Sequence, residues 1–248
     1  MSEALLARLE AAIARLEKLG GAPAVDAVIN SSGDDVMTPA GRAAIAAYDE
    51  FYNQFVPPTI AACKTFDDLK ETAEFIEVAF KNQGDLIRAA AVSKKATDAE
   101  VLAFLKPSAD VIQKSEKMNF KSAQYTHQQA FNASIGVLSW PFAQPPSSHI
   151  ETMIDSASLY LNRILTKAKD AEEPQKSNDR AYVNTYKALL AAFFEYIKKH
   201  FKAGLEWNNL KGKPLSEYKG GAAPAAAAPA PAAAAPAPAP APSSKPAG

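Results

Sequence analysis

Apolar residues recur at intervals of three and four along two long segments of this 248-residue chain. Such spacing places apolar side chains on one face of an α-helix. Strand-like alternation is absent, so the chain is predicted to be all-α, with helices that bury these stripes against one another. The stripes are Ile150, Ile154, Ala157, Leu161, Ile164 and Ala168 in residues 149–169, and Tyr182, Tyr186, Leu189, Phe193, Ile197 and Phe201 in the segment from Ser177 to Lys202.

Prolines and capping residues divide residues 39–207 into six predicted helices. Thr38-Pro39 is typical of a helix start, because an N-cap is followed by Pro in the first turn. Pro57-Pro58 is expected to kink or break the first helix, Pro107 lies within the third, and Gly204 follows the sixth as a stop. Short connections favour an antiparallel six-helix bundle. The helices are predicted to cover Pro39 to about Cys63, Asp67 to about Ser93, a third capped by Thr97, Ser122 to about Pro141, 149–169, and Ser177 to about Lys202.

Ahead of the bundle, a triplet Arg-Leu-Glu occurs twice, seven residues apart. The apolar residues around it step by three, four and three, which places them at successive a and d positions of a heptad. Residues 1–19 are therefore predicted to form a short coiled-coil helix that pairs with a copy of itself or with a partner helix. The apolar seam is Leu6, Leu9, Ile13 and Leu16, and the flanking charges are Arg8, Glu10, Arg15 and Glu17.

The composition of the remaining segments predicts what each of them forms. Residues 20–38 are turn-rich and are predicted to be a linker. Residues 39–221 are predicted to be a helical folded domain, with the bundle reaching about residue 207 and a short extension after it. Residues 222–248 are almost entirely Ala and Pro, so we expect a disordered tail with polyproline-II character. The tail has no PxxP spacing, which favours a spacer over a docking site for SH3 domains.

Composition also excludes several classes of function. Lys+Arg and Asp+Glu both number 27, so there is no basic excess for nucleic acid or anionic lipid. No run of about 18 uncharged apolar residues is present for a membrane span. The N-terminus lacks the pattern of a signal peptide, so the cytoplasm is the expected compartment.

Little in the chain suggests catalysis. Cys63 is the only cysteine, and His127, His149 and His200 fall on three different predicted elements. None has the spacing of a zinc site, and no histidine neighbours Cys63 as a base. We expect packed or surface histidines and a half-buried cysteine. The sequence therefore predicts no catalytic residue, no metal site and no cofactor, and an enzyme is the remote alternative.

A polar stripe on the fifth predicted helix suits a protein interface instead. Tyr160, Arg163 and Lys167 step by three and four off the apolar face, with Asn162 alongside. Tyr and Arg are enriched at binding hot spots. The alternative is that the two cations only solvate the helix while Tyr160 is half in the core.

Trp140 and Trp207 lie at the ends of predicted elements. Core closure is the default interpretation for both residues, and partner recognition is the alternative.

Three local motifs accompany this organisation. Leu138-Ser139-Trp140 closes the fourth helix, Tyr160-Leu161-Asn162-Arg163-Ile164-Leu165-Thr166-Lys167 lies in the fifth, and Gly204-Leu205-Glu206-Trp207 follows the sixth. They are similar to Leu-Gly-Trp, to an aromatic residue before Asn-Arg-Val-Leu-Lys, and to Gly-Leu-x-Trp in the cyclase-associated proteins, a family of actin regulators. With the doubled Arg-Leu-Glu, the linker and the Ala/Pro-rich tail, residues 1 to about 221 resemble the N-terminal half of that family.

The resemblance implies a function. In the family, the N-terminal helix oligomerises the protein and, in fungi, contacts adenylyl cyclase. The helical domain dimerises and engages the pointed end of cofilin-decorated actin filaments, where it speeds disassembly. Actin, cofilin and a second copy are thus the implied partners, at the cytoplasmic actin cytoskeleton. Tyr160, Asn162, Arg163 and Lys167 become the first interface candidates, with the two tryptophans second. A scaffold that links adenylyl cyclase to the cytoskeleton is the alternative.

Two departures limit what the resemblance carries over. Family members continue into an actin-monomer-binding motif and a β-rich domain that recharges ADP-actin, whereas this sequence ends at Gly248. Nucleotide exchange is therefore not assigned to it. The tail also lacks the consecutive prolines by which relatives recruit profilin, so profilin binding is not expected.

The seam from Leu6 to Leu16 spans fewer than two heptads, so we predict that it associates weakly when isolated. Stable coiled coils usually need about three or four heptads, and isolated helices shorter than about 12–15 residues are marginal. A peptide of residues 1–38 should sediment chiefly as a monomer at micromolar concentration. Full-strength oligomers at that concentration would contradict the prediction.

Overall fold

A computed structural model of the protein describes residues 37–117 and 119–218. These residues are helical apart from turns, loops and an isolated parallel bridge between Ser93 and Lys213, so the all-α prediction is confirmed. Short 3₁₀ helices lie at Asp67–Leu69, Gly136–Phe142 and Leu215–Glu217. The α-helices are α1 (Pro39–Lys64), α2 (Lys70–Val92), α3 (Asp98–Phe104), α4 (Lys106–Ser115), α5 (Tyr125–Ile135), α6 (Pro146–Ala168) and α7 (Gln175–His200).

Several predictions fall outside the described residues. They are the coiled-coil helix at 1–19, including its seam and flanking charges, most of the linker at 20–38, and the tail at 222–248. These remain predictions from the sequence.

Side-chain caps begin two of the helices where the sequence predicted them. The Thr38 hydroxyl accepts a hydrogen bond from the Gly41 N–H at 3.0 Å, at the start of α1. At the start of α3, the Thr97 hydroxyl accepts from the Glu100 N–H at 3.3 Å, and the Glu100 carboxylate accepts from the Thr97 N–H at 2.8 Å. This capping box pairs backbone donors that the first turn leaves without intrahelical partners.

The expected break at Pro57-Pro58 is wrong, because α1 continues through both prolines. Each proline removes the N–H that would bond the carbonyl four residues earlier, here those of Asn53 and Gln54. The prolines and these two residues are all exposed, so water can bond the carbonyls. On the opposite side Thr59 is buried; its hydroxyl donates to the Phe55 carbonyl of α1 at 2.8 Å and lies 3.2 Å from the Thr185 carbonyl of α7. Packing on the core side therefore holds the helix across the prolines.

Two other predicted helices are divided, which gives seven α-helices in the described part of the chain instead of six. The third becomes α3 and α4, which meet at Leu105, with Pro107 in the first turn of α4. Proline is tolerated there because its missing N–H would have no intrahelical partner. The fourth is α-helical only from Tyr125 to Ile135 and continues as a 3₁₀ helix that contains Pro141.

The two apolar stripes predicted from the sequence lie in α6 and α7. Both helices begin within three residues of their predicted starts. All the predicted stripe residues are buried except Ile154, which is partly exposed and packs against the same core.

Helix α1 packs between α2 and α7 and is antiparallel to both. Near its start, Ala44 accepts a hydrogen bond from the Tyr196 hydroxyl at the end of α7, at 2.9 Å. Further along, Tyr48 donates to the Phe80 carbonyl of α2. Rings from all three helices meet here at centroid distances of 5.4 to 6.1 Å, namely those of Tyr48, Phe51, Phe80, Phe193 and Tyr196.

The predicted short extension packs against the end of α2 and supplies donors to its last carbonyls. The backbone N–H of Asn208 donates to the Ser93 carbonyl at 2.9 Å, and that of Lys213 donates to the Val92 carbonyl at 3.1 Å. The Asn208 side-chain amide adds a bond to the Ala91 carbonyl at 3.3 Å. A helix end that would otherwise expose unpaired carbonyls is thus capped by a distant segment.

A second, smaller core forms beneath this segment. Leu215 is buried, and Trp207 packs against the cluster while remaining partly exposed. The other buried members are Leu86, Ala89, Val101 and Leu105.

Gly212 lies where the capping segment approaches α2 most closely. A Cβ at this position would lie 2.4 Å from both the Asn208 carbonyl oxygen and the Ser93 carbonyl carbon. Gly212→Ala must therefore move backbone, and we expect it to lower the free energy of unfolding by ~1–3 kcal/mol in urea titrations.

Gly136→Ala is the matched control for this change. Its new Cβ would meet the flexible Met153 side chain, with the sulfur at 3.0 Å, rather than backbone. Equal losses of stability in the two variants would contradict the capping role of the segment.

Candidate protein-interaction surface on helix α6

The predicted interface residues lie on the second half of α6. Leu161 and Ile164 of the buried stripe face the core. Arg163 and Lys167 are exposed, while Tyr160 is half-buried. The stripe thus sets the rotation of the helix, and that rotation turns the two cations to solvent.

Tyr160 and Arg163 form a pair. The Arg163 guanidinium carbon lies 5.6 Å from the centroid of the Tyr160 ring, which is a cation–π geometry. The ring also packs against the main core. The tyrosine is therefore partly a core residue, and it orients the cation beside it.

Asn162 is exposed but joined to the neighbouring helix. Its side-chain oxygen accepts a hydrogen bond from the Lys187 ammonium of α7 at 3.0 Å. This bond bridges the outer edges of α6 and α7, so Asn162 has a structural partner as well as a place beside the candidate surface.

Neither Arg163 nor Lys167 is paired with a carboxylate in the described part of the domain. None of the ion pairs among residues 37–117 and 119–218 involves either side chain. Both are exposed on successive turns of one helix face. They can therefore bind an acidic group of another molecule.

Lys167 also borders a small cavity of about 240 Å³ at the junction of α5, α6 and α7. Inside it, the His127 Nε2 lies 3.0 Å from an Asp179 carboxylate oxygen, which also accepts from the Gln175 amide at 2.8 Å. Burial lowers the pKa of His127 and outweighs the raising effect of Asp179, and Lys167 lowers the pKa further. The neutral ring is favoured, so His127 is a packed histidine, as predicted.

Leu159 was not among the predicted interface residues, although it lies at the centre of the outer face of α6. Its side chain is 54% exposed. It stands one four-residue step from Asp155 and one from Arg163, both exposed. The signal was available, because a large apolar residue two positions from Ala157 must lie about 200° around the helix from the buried stripe.

For Trp140 the default interpretation, core closure, is confirmed, and the alternative as an interface residue is wrong. It is fully buried, its ring lies 4.9 Å from that of Phe201, and its indole N–H donates to Gln83 at 3.0 Å. A buried indole needs such a partner, and this one fixes the 3₁₀ segment against α2. Trp207 packs against the smaller core and keeps part of its ring exposed beside it.

Other chemistry is scarce among the described residues. Cys63 is fully buried rather than half-buried, and burial raises its thiol pKa to about 12, which suppresses the thiolate. No group of three or more potential metal ligands occurs in the described part of the chain. Within that same part, no helix is both long and apolar enough to span a bilayer.

Comparison with known proteins identifies relatives across most of the chain. The adenylyl cyclase-associated protein of Dictyostelium discoideum is 34% identical over 240 residues, covering 91% of this chain and 51% of that protein. Adenylyl cyclase-associated protein 2 of Rattus norvegicus is 28% identical over 213 residues, covering 82% and 43%. Cyclase-associated protein 1 of Arabidopsis thaliana is 31% identical over 235 residues, covering 87% and 48%. The chain spans about half or less of the length of these relatives.

Solved structures agree with the sequence relatives. A crystal structure of the N-terminal domain of CAP, described as indicating variable oligomerisation, has a TM-score of 0.66 and 27% identity, covering 71% of this chain and 96% of that one. The N-terminal domain of the adenylyl cyclase-associated protein from Dictyostelium discoideum has a TM-score of 0.64 and 27% identity, covering 71% and 99%.

The family model "CAP, N-terminal domain" matches residues 48–205. This range runs from within α1 to just past α7 and includes the whole candidate surface on α6. The chain therefore belongs to the CAP N-terminal domain family, as its motifs implied.

Proposed function

We propose that this protein promotes the turnover of actin filaments, by engaging cofilin-decorated filaments at the pointed end, at the cytoplasmic actin cytoskeleton. Membership of the CAP family supports actin regulation. The exposed cations Arg163 and Lys167 lie beside Tyr160 on α6, and this observation supports assigning the binding surface to them.

The proposed activity is binding rather than bond chemistry, so we propose a protein without catalytic residues or cofactor. The buried, protonated thiol of Cys63 supports this, since it is a poor nucleophile. A binding protein can speed disassembly when it favours a loosened terminal arrangement of subunits over the filament's own. Oligomers built by residues 1–19 would present several domains to one filament end and raise the effective affinity.

Charge reversal tests the surface. Arg163→Glu combined with Lys167→Glu should weaken the apparent affinity for cofilin-decorated ends about tenfold, because an acidic partner would then be repelled. Single-filament imaging of pointed-end depolymerisation gives the readout, with circular dichroism as the test of folding.

Lys114→Glu combined with Lys117→Glu is the matched control, since it changes the net charge equally at exposed sites on and after α4. It should disassemble filaments at the wild-type rate. A folded α6 variant that is as active as this control would remove Arg163 and Lys167 from the interface.

A signalling scaffold is the second candidate function. It is favoured by the heptad seam at residues 1–19 and by the names of relatives that are adenylyl cyclase-associated proteins. Here the N-terminal helix would join copies of the chain and bind adenylyl cyclase, while the helical domain would connect the assembly to actin.

Deletion of residues 1–19 separates the two functions. We expect the deletion to abolish binding to adenylyl cyclase in a pull-down, because the seam is the proposed contact. Filament disassembly should only weaken, through lost avidity. Complete loss of disassembly with a folded helical domain would contradict this division of labour.

A further inference from the structure

Four exposed lysines are gathered where the segment after α7 caps the end of α2. Two of them follow α2 directly, and two lie in the capping segment. The stretches that carry them, residues 93–97 and 207–216, contain no acidic residue. The chain as a whole is neutral, so this lysine patch is a local concentration of positive charge. Its members are Lys94, Lys95, Lys211 and Lys213.

Backbone contacts hold the two stretches of the lysine patch together. The Lys94 N–H donates to the Lys213 carbonyl at 2.9 Å, and the Lys95 N–H donates to the Asn209 side-chain oxygen at 2.9 Å. Ser93 and Lys213 also form the isolated parallel bridge. The four lysines are therefore neighbours on one surface, although 114 residues separate Lys95 from Asn209.

Leu210 adds an apolar group to the lysine patch. It is 94% exposed and lies next to Lys211 in the chain. Both of its chain neighbours are tied down, since Asn209 accepts from Lys95 and the Lys211 N–H donates to the Asn208 side-chain oxygen at 3.2 Å. The fold thus holds a leucine out in solvent among cations, and a partner that covers it would remove apolar surface from water.

We propose that the lysine patch binds an acidic peptide segment of a partner protein, with carboxylates against the lysines and an apolar side chain over Leu210. None of the ion pairs within residues 37–117 and 119–218 involves any of the four lysines, so their charges are available. Lysine carries its charge on a flexible stem and can meet carboxylates at different spacings. The backbone beneath is already fixed, so little ordering is needed on binding.

The dipole of α2 does not explain the lysine patch by itself. Its C-terminal end is equivalent to about half a unit of negative charge, whereas the patch carries four positive charges. Backbone N–H groups of Asn208 and Lys213 already cap the last carbonyls. Neither the dipole nor the cap requires an exposed leucine at this place.

The carboxylates that adjoin the patch favour a narrow partner. Asp98 follows the first stretch, while Glu206 and Glu217 lie directly before and after the second, and all three are exposed. An anionic membrane or a nucleic-acid duplex is broad enough to reach these carboxylates and would be repelled by them. A single acidic peptide can contact the lysines alone.

This inference does not rest on the proposed function. The capping-segment members Leu210, Lys211 and Lys213 lie beyond residue 205, where the match to the family model ends. The tests below contain no filament and leave α6 unchanged, so peptide binding and filament disassembly can fail independently.

Charge reversal provides the first test, by fluorescence anisotropy with the full chain and a fluorescein-labelled synthetic peptide of four glutamates around one leucine. The wild type should bind this peptide with an affinity that falls as salt is added. Lys211→Glu combined with Lys213→Glu should weaken binding at least about tenfold. The control, Lys114→Glu combined with Lys117→Glu, changes the net charge equally on and after α4 and should bind as the wild type does. No binding by the wild type, or equal weakening in the two variants, overturns the proposal.

A second variant reaches the same surface without altering the capping segment. Lys94→Gln combined with Lys95→Gln removes two charges from the stretch after α2 and adds no acid near the end of that helix. It should weaken peptide binding severalfold, with circular dichroism as the test of folding. A folded variant that binds the peptide as tightly as the wild type overturns the proposal.

The class of partner is tested with two other anionic probes. The wild type should bind the peptide more tightly than it binds duplex DNA or vesicles of phosphatidylcholine and phosphatidylserine. Leu210→Ser should weaken peptide binding about threefold and leave its salt dependence unchanged, because only an apolar contact is lost. Tighter binding to the vesicles or the DNA than to the peptide overturns the assignment of a protein partner.

Discussion

The burial of α1 between α2 and α7 is the contact on which the rest of the domain depends. Aromatic rings from all three helices meet there, and the hydroxyls of Tyr48 and Tyr196 each donate to a backbone carbonyl of a neighbouring helix. Burial raises the pKa of both phenols, which keeps them neutral donors. These bonds fix the helices along their axes as well as side by side, because a shift of one residue would leave a buried hydroxyl unpaired. With α7 placed in this way, α6 can cover only its other side.

That placement explains where interaction chemistry is possible. Helix α6 packs on α5 and α7 through its apolar stripe and leaves the opposite face to solvent. The face combines a leucine with charges that have no ion-pair partner in the described part of the chain, and its serine and threonine hydroxyls bond back to the helix itself.

Predictions from the sequence were correct where the structure depends on residues within a few turns of one another. The stripes of α6 and α7 follow from periodicity, and the caps at Thr38 and Thr97 follow from the hydrogen bonds that their hydroxyls can make. Predictions failed where the outcome depended on what lies across the fold. Pro57-Pro58 leaves α1 intact because its unpaired carbonyls face water and its other side is packed. For Trp140, core closure was the correct default, but its partner could not be foreseen, because the acceptor for its N–H comes from Gln83, which is distant in sequence.

The sequence by itself determined that this protein is helical, which faces of its last two long helices are apolar, and that it belongs with the cyclase-associated proteins. Periodicity and motifs carry that information because each depends on residues within a few turns of one another. Only the tertiary structure decided that Asn208 and Lys213 cap the end of α2, that Cys63 is inaccessible, and that nothing of the described domain covers the middle of the outer face of α6. Those outcomes depend on which segments meet in the fold. Residues distant in sequence decide whether a backbone carbonyl is capped, whether a thiol is accessible and whether a leucine is covered.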